Sequence, residues 1–110
     1  MDEKKSLRDV LYMSVGTGNH VDLCIICLGE DVNAVREHLV EKLRAGTHRF
    51  EDEIYHDALF IDGINLRRQD QADHCLDCLL GLCEVHGIKT ITIAGEGEPV
   101  EFFVSELMHA

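Results

Sequence analysis

The feature that most constrains the fold of this chain is a nearly continuous apolar run from Val21 to Leu28. A strand that is buried on both faces has this pattern, because neither face needs polar side chains. A shorter apolar run follows at residues 58–62, and residues 88–94 are rich in β-branched residues, which also favour a strand. Between them lie segments whose apolar residues are three or four positions apart, the spacing of a helix with one buried face. This alternation predicts helices packed on a central sheet.

Two amphipathic helices are predicted between the strands. Asp31 can cap the first, which extends to about Arg44, and Asp70 can cap the second, which ends at Gly87. Both have apolar residues at helical spacing on one face. The inner face of the second helix is predicted to contain Ala72, Cys75, Leu76, Leu79, Leu82 and Cys83.

The two ends of the chain are predicted from shorter patterns. Residues 7–15 are expected to form a strand that pairs with Val21–Leu28 in an antiparallel hairpin, with the turn at residues 16–19. Pro99 is placed in the first turn of a last helix, where proline is common, and Val100, Phe103, Val104 and Leu107 would form its apolar stripe. The acidic segment 51–57 receives no assignment.

These elements predict a single α/β domain over residues 1–110. The sheet is expected to be small, mixed and mostly parallel, because a strand–helix–strand connection commonly joins parallel strands. An N-terminal β-hairpin would be its antiparallel part, and about three helices would cover it. A chain of 110 residues has room for one such core.

The charge of the chain excludes some classes of partner. There are 21 Asp and Glu residues against ten Lys and Arg, a formal net charge of −11. Nucleic acids and anionic membranes bind clustered basic residues, so neither is expected as a partner. The N-terminus lacks the apolar stretch of a secretory signal, which predicts a cytoplasmic protein. A second protein with a complementary basic surface fits the charge better.

Five cysteine and histidine residues of the second predicted helix are candidates for chemistry. Cys75 and Cys78 have the two-residue spacing of zinc ligands, and His74 lies one helical turn before Cys78. A single helix rarely supplies a closed metal site, so we expect no metal and no cofactor. No Ser-His-Asp or Cys-His arrangement can be placed by spacing, so we expect no catalytic activity. The alternative is a small metal- or redox-active protein whose ligands would be His74, Cys75, Cys78, Cys83 and His86.

Several segments resemble, in order, those of the STAS domain, the fold of anti-sigma-factor antagonists. Val21–Leu28 and the following Gly29-Glu30-Asp31 are similar to the strand and turn before the first helix of that family. Residues 59–62 resemble its central strand, and residues 87–94 resemble the strand after its second helix. The resemblance covers about residues 8–107 and implies a regulatory or protein-interaction module.

STAS regulators have a phosphorylatable Ser or Thr at the start of the second helix, where this chain has Asp70-Gln71-Ala72-Asp73. The resemblance therefore implies a module without that switch. Its partner contacts are expected at the start of the second helix and in the loop before it, at Arg67, Arg68, Asp70, Gln71, Asp73 and His74. A second alternative is an acidic immunity or inhibitor protein that binds a basic partner.

Overall fold

A computed structural model describes residues 6–18, 20–94 and 99–103. These residues form three helices and five strands. Within them, no helix combines the length and the apolar character that crossing a lipid bilayer requires. The elements follow in the order α1 (Leu7–Met13), β1 (His20–Ile26), α2 (Val32–Ala45), β2 (Glu51–Tyr55), β3 (Ala58–Asn65), α3 (Gln69–His86), β4 (Thr90–Ala94) and β5 (Val100–Phe103).

The five strands form one sheet in the order β2-β3-β1-β4-β5, and every neighbouring pair is antiparallel. The prediction of a mostly parallel, STAS-like sheet is therefore wrong. The strands on either side of α2 and those on either side of α3 do run in the same direction, but they are not neighbours. β3 lies between β1 and β2, and β1 lies between β3 and β4. These two interleaved units have the split β-α-β arrangement of ferredoxin-like folds.

The two long helices lie where the sequence predicts them. The Asp31 carboxylate caps α2 by accepting a hydrogen bond of 2.9 Å from the backbone N–H of Asn33, and Gly87 ends α3 with a φ of 64°. The six residues predicted for the inner face of α3 are all buried. The predicted cap at Asp70 is wrong, since Arg68 is the N-cap residue and Asp70 lies within the first turn.

The predicted N-terminal hairpin is also wrong, because residues 7–13 are helical. The Ser6 hydroxyl accepts a hydrogen bond from the Asp9 backbone N–H at 3.1 Å, and the Asp9 carboxylate accepts one from the Ser6 N–H at 3.4 Å. This reciprocal capping box begins α1. Leu7 and Leu11 are buried in the core. A helix places these two residues, four positions apart, on the same face, and this spacing favours a helix for the segment.

The helix predicted after Pro99 is a strand over the described residues. Val100–Phe103 pairs with β4, with Ile91 opposite Phe102 and Thr90 opposite Phe103. The alternation of a strand places Phe102 in the core and leaves Phe103 exposed. Val104 and Leu107, also predicted to belong to that helix, lie outside the described residues. The unassigned acidic segment contains β2, an edge strand.

The core lies between the helices and one face of the sheet. Along β1 the buried residues Val21, Leu23 and Ile25 alternate with half-buried side chains on the other face. β4 repeats this alternation. The apolar run of β1 is therefore buried on one face, not on both. We call the other face of the five strands the open face, because its side chains are half-buried or exposed, with the exception of Ala58.

Candidate functional site

The start of α3, which the sequence analysis selects for partner contacts, holds several hydrogen bonds within the fold. The Gln71 side-chain oxygen accepts from the backbone N–H groups of Arg67 and Arg68, at 2.8 and 3.3 Å. Its amide nitrogen donates to the Thr47 hydroxyl at 3.4 Å. Gln71 therefore joins the β3–α3 loop to the segment that follows α2.

Two further residues of the predicted contact surface connect α3 to the other helices. The hydroxyl of Tyr12 on α1 donates a hydrogen bond to the Asp73 carboxylate, and this bond raises the pKa of Tyr12. The His74 Nε2 lies 2.9 Å from the Lys42 carbonyl oxygen near the end of α2. Because these side chains already have partners within the chain, they are less available to a second protein.

The other members of the predicted surface are exposed. Arg68 and Asp70 form an ion pair of 3.2 Å in which both side chains are about two-thirds exposed. Exposed pairs of this kind contribute little to stability. Arg67 is exposed as well and lines a pocket with Thr47, Arg49, Asn65 and Gln71. Sequence reasoning selects Arg67 and Gln71 but misses the other three, because no local pattern links residue 47 or 49 to residue 67.

A buried histidine fixes the position of the segment between α2 and β2. His48 is 4% exposed, and its ring stacks on that of His74 with 5.6 Å between centroids. Its Nδ1 lies 2.9 Å from the Leu43 carbonyl oxygen, and its Nε2 lies 3.2 Å from that of Gln71. The imidazole thereby links the end of α2 to the first turn of α3.

The five residues of the metal or redox alternative lie in three separate places. Cys75 and Cys83 are buried in the core. The Cys78 sulfur lies 3.5 Å from the His74 Nε2, while the His86 Nε2 lies 3.2 Å from the Nδ1 of His38 on α2. In the part of the chain that the structure describes, no group of three or more His, Cys, Asp or Glu residues could hold a metal ion.

Burial also makes the core cysteines chemically inert. Desolvation raises the pKa of Cys75 to about 12 and that of Cys83 to about 12. The thiolate is the form that attacks disulfides and binds metals, so these two thiols are unreactive near neutral pH. The structure thus offers no specific support for the metal or redox alternative.

The open face of the sheet has the most distinctive composition on the surface. One row across it is defined by strand pairing: Cys24 lies opposite Phe60 on β3 and opposite Thr92 on β4. Phe60 in turn pairs with Glu53 on β2, and Thr92 pairs with Glu101 on β5. This row has apolar and small residues at its centre and a carboxylate at each edge.

The rest of the open face continues this pattern. Asp22 accepts a hydrogen bond of 2.6 Å from the backbone N–H of Gly63, where an irregularity interrupts the pairing of β1 with β3. None of the residues in the five described strands is Lys or Arg. The five carboxylates on this face belong to Asp22, Glu51, Glu53, Asp62 and Glu101.

One end of the open face is apolar. Tyr55 is 62% exposed on β2, and Phe103 is 46% exposed on β5. Phe103 also borders a recess of about 460 Å³ that is lined in part by Ile26, Leu28 and Thr90 and by Lys89, which directly precedes β4. This surface cannot be recognised from the sequence pattern, because that pattern predicts a sheet in which β1 is covered on both sides and residues 100–103 are helical.

Comparison with known proteins adds no assignment. No protein-family model, no curated protein and no solved structure matches this chain. The resemblance to STAS domains therefore stays a prediction based on residue patterns.

Proposed function

We propose that this chain is a non-catalytic, cytoplasmic interaction module that binds a basic partner protein through the open face of its sheet. The observation that carries the proposal is the charge of that face, which has five carboxylates and, over the described strands, no Lys or Arg. A positively charged surface is complementary to it. Such complementarity accelerates association and disfavours acidic partners.

The distribution of residue types on the open face supports a protein partner. Protein interfaces typically have a desolvated centre and a polar rim. Here Phe60 and Cys24 lie at the centre of the row, while Glu53 and Glu101 lie at its edges. Aromatic residues such as Tyr55 contribute strongly to many interfaces when a partner covers them.

The central strand gives a second line of support. On a sheet face that contacts only water, strands usually alternate buried apolar residues with polar ones. The outward positions of β1 include Cys24 and Ile26, both half-buried. A partner that covers this face would remove those side chains from water, which is favourable.

The cysteines support the proposed compartment. All five are free thiols, as expected for a protein in a reducing environment such as the cytoplasm.

Residues 67–75 contain no Ser, Thr or Tyr, and this supports a module without a phosphorylatable hydroxyl at the start of α3.

A pair of matched double variants tests the proposal. Glu53→Lys with Glu101→Lys reverses two charges at opposite edges of the open face. Glu37→Lys with Glu41→Lys makes the same change of net charge on α2, where both glutamates are exposed. A photo-crosslinking amino acid at Thr92, in the same row of the open face, would capture the partner in a lysate of the native host.

We expect an adduct with a basic protein whose yield falls as the salt concentration during crosslinking rises, since ions screen exposed charges. The Glu53/Glu101 double variant should lose this adduct, and the Glu37/Glu41 double variant should retain it. Equal adducts from both variants, or an adduct with an acidic protein or with a second copy of this chain, would contradict the proposal. Circular dichroism would establish that both variants are folded.

A further inference from the structure

A polar pocket of about 250 Å³ lies where the segment after α2 meets the β3–α3 loop. Each side chain that lines it ends in a group that can donate hydrogen bonds, and none of them is a carboxylate. This composition is unusual for a chain with 21 acidic residues. The pocket is lined by Thr47, Arg49, Asn65, Arg67 and Gln71.

The two arginines of the pocket differ from the others nearby. Between residues 20 and 94 the chain has five arginines. Three of them are paired, Arg36 and Arg44 with Asp52 and Arg68 with Asp70. Arg49 and Arg67 form no ion pair with any residue that the structure describes. Both unpaired guanidinium groups therefore border the same pocket.

Hydrogen bonds hold the backbone around the pocket in place before any ligand arrives, while the Arg49 and Arg67 side chains are exposed. Gln71 joins its two sides through hydrogen bonds to the Arg67 backbone and to the Thr47 hydroxyl. His48, next to Thr47, is buried and contacts carbonyl oxygens of both α2 and α3. A backbone that is already ordered loses less entropy when a ligand binds.

Thr47 has a backbone conformation that favours glycine. Its φ is 63°, and a β-branched residue in this region is strained. Its hydroxyl oxygen accepts the bond from Gln71, so the hydroxyl proton can be donated to an acceptor in the pocket. A threonine at this position thus combines a conformational cost with a hydroxyl that lines the pocket.

We propose that this pocket binds the phosphate group of a small phosphate monoester. Guanidinium groups donate paired hydrogen bonds to oxyanions, and two of them can balance the double charge of a phosphate monoester. Its three terminal oxygens can also accept bonds from the hydroxyl and amide groups. An adjoining pocket of about 360 Å³ shares Asn65 and Arg67 and is also lined by Gly16 and Gly18. That space can hold the organic part of the ligand.

The test follows the Nε–Hε signals of Arg49 and Arg67 by NMR during titration with inorganic phosphate at constant ionic strength. Parallel titrations use malonate, a dianion with two carboxylates, and chloride. We expect saturable shifts of both signals with phosphate, weaker binding of malonate and no saturation with chloride. This experiment involves no partner protein, so its failure would leave the proposal for the open face unaffected.

Matched variants identify the residues that bind. Arg49→Gln and Arg67→Gln should each weaken phosphate binding about tenfold or more, the effect of losing a hydrogen bond to a charged group. Arg68→Gln makes the same change of charge at the adjacent residue, which does not line the pocket, and should change the affinity by about twofold or less.

Three results would overturn the proposal: no saturable binding of phosphate, tighter binding of malonate than of phosphate, or an equal loss in Arg68→Gln and Arg67→Gln. If an arginine variant does not fold, Thr47→Gly provides the test. Glycine removes the hydroxyl and relieves the strain at φ 63°. We expect a thermal midpoint close to that of the wild type, because the relieved strain offsets the lost hydrogen bond from Gln71, together with weaker phosphate binding. An unchanged affinity would overturn the proposal.

Discussion

Replacing Cys75 with alanine should reduce the loss of stability that this protein undergoes at alkaline pH. Cys75 is completely buried, and burial raises the pKa of its thiol from 9.0 to about 12. Below pH 9 the thiol is protonated in both the folded and the unfolded chain. Between about pH 9 and 12 only the unfolded chain loses the proton, so deprotonation favours unfolding in this range.

The expected magnitude follows from this difference in pKa. One pH unit corresponds to about 1 kcal/mol of free energy for one group. At about pH 10 the Cys75 thiol should therefore lower the free energy of unfolding by about 1 kcal/mol relative to neutral pH. Cys75→Ala lacks this contribution, although it loses some packing energy at every pH.

Urea denaturation at about pH 7.5 and about pH 10 measures the effect for the wild type and for the variant. Leu79→Val is the control, because it removes buried volume from the same face of α3 without removing an ionisable group. The free energy of unfolding of Leu79→Val should have the same pH dependence as that of the wild type. If the wild type and Cys75→Ala lose the same free energy of unfolding at about pH 10, the raised pKa of Cys75 is refuted, and Cys75 is again a candidate for redox or metal chemistry.

Three further predictions test an ion pair, the packing around two glycines and the burial of the cysteines. Asp52→Asn should lower the free energy of unfolding by about 1–3 kcal/mol, because the carboxylate is 6% exposed and pairs with two arginines. Glu53 is exposed, so Glu53→Gln should have little effect in the same denaturant titration. Gly46→Ala should lower the thermal midpoint, since the added Cβ would lie 2.2 Å from the His74 ring. At Gly81, inside α3, an added Cβ would have no atom within 4 Å, so Gly81→Ala should raise the midpoint. Pulsed alkylation followed by mass spectrometry should show that the half-buried Cys24 and Cys78 react faster than the buried cysteines, which are Cys27, Cys75 and Cys83. Uniform alkylation rates would contradict the burial pattern.

Local patterns were sufficient to predict the long helices and their buried faces. The spacing of apolar residues on α3 identifies its inner face, because 3.6 residues per turn bring those positions to one side. Asp31 and Gly87 mark helix ends for reasons that involve only neighbouring residues. The short elements at the two ends of the chain were predicted wrongly. A segment such as Val100–Phe103 is too short for its periodicity to separate a strand from a helix.

The composition of the sequence determined that this protein is acidic, and the spacing of its apolar residues determined the positions of the two long helices along the chain. Only the tertiary structure decided that β3 lies between β1 and β2, and this choice makes the sheet antiparallel and leaves one face open. It also decided that Arg49 and Arg67 border one pocket. Strand partners and pocket walls are contacts between residues far apart along the chain. Local periodicity determines which face of an element is buried, but it contains no information on which distant element covers that face.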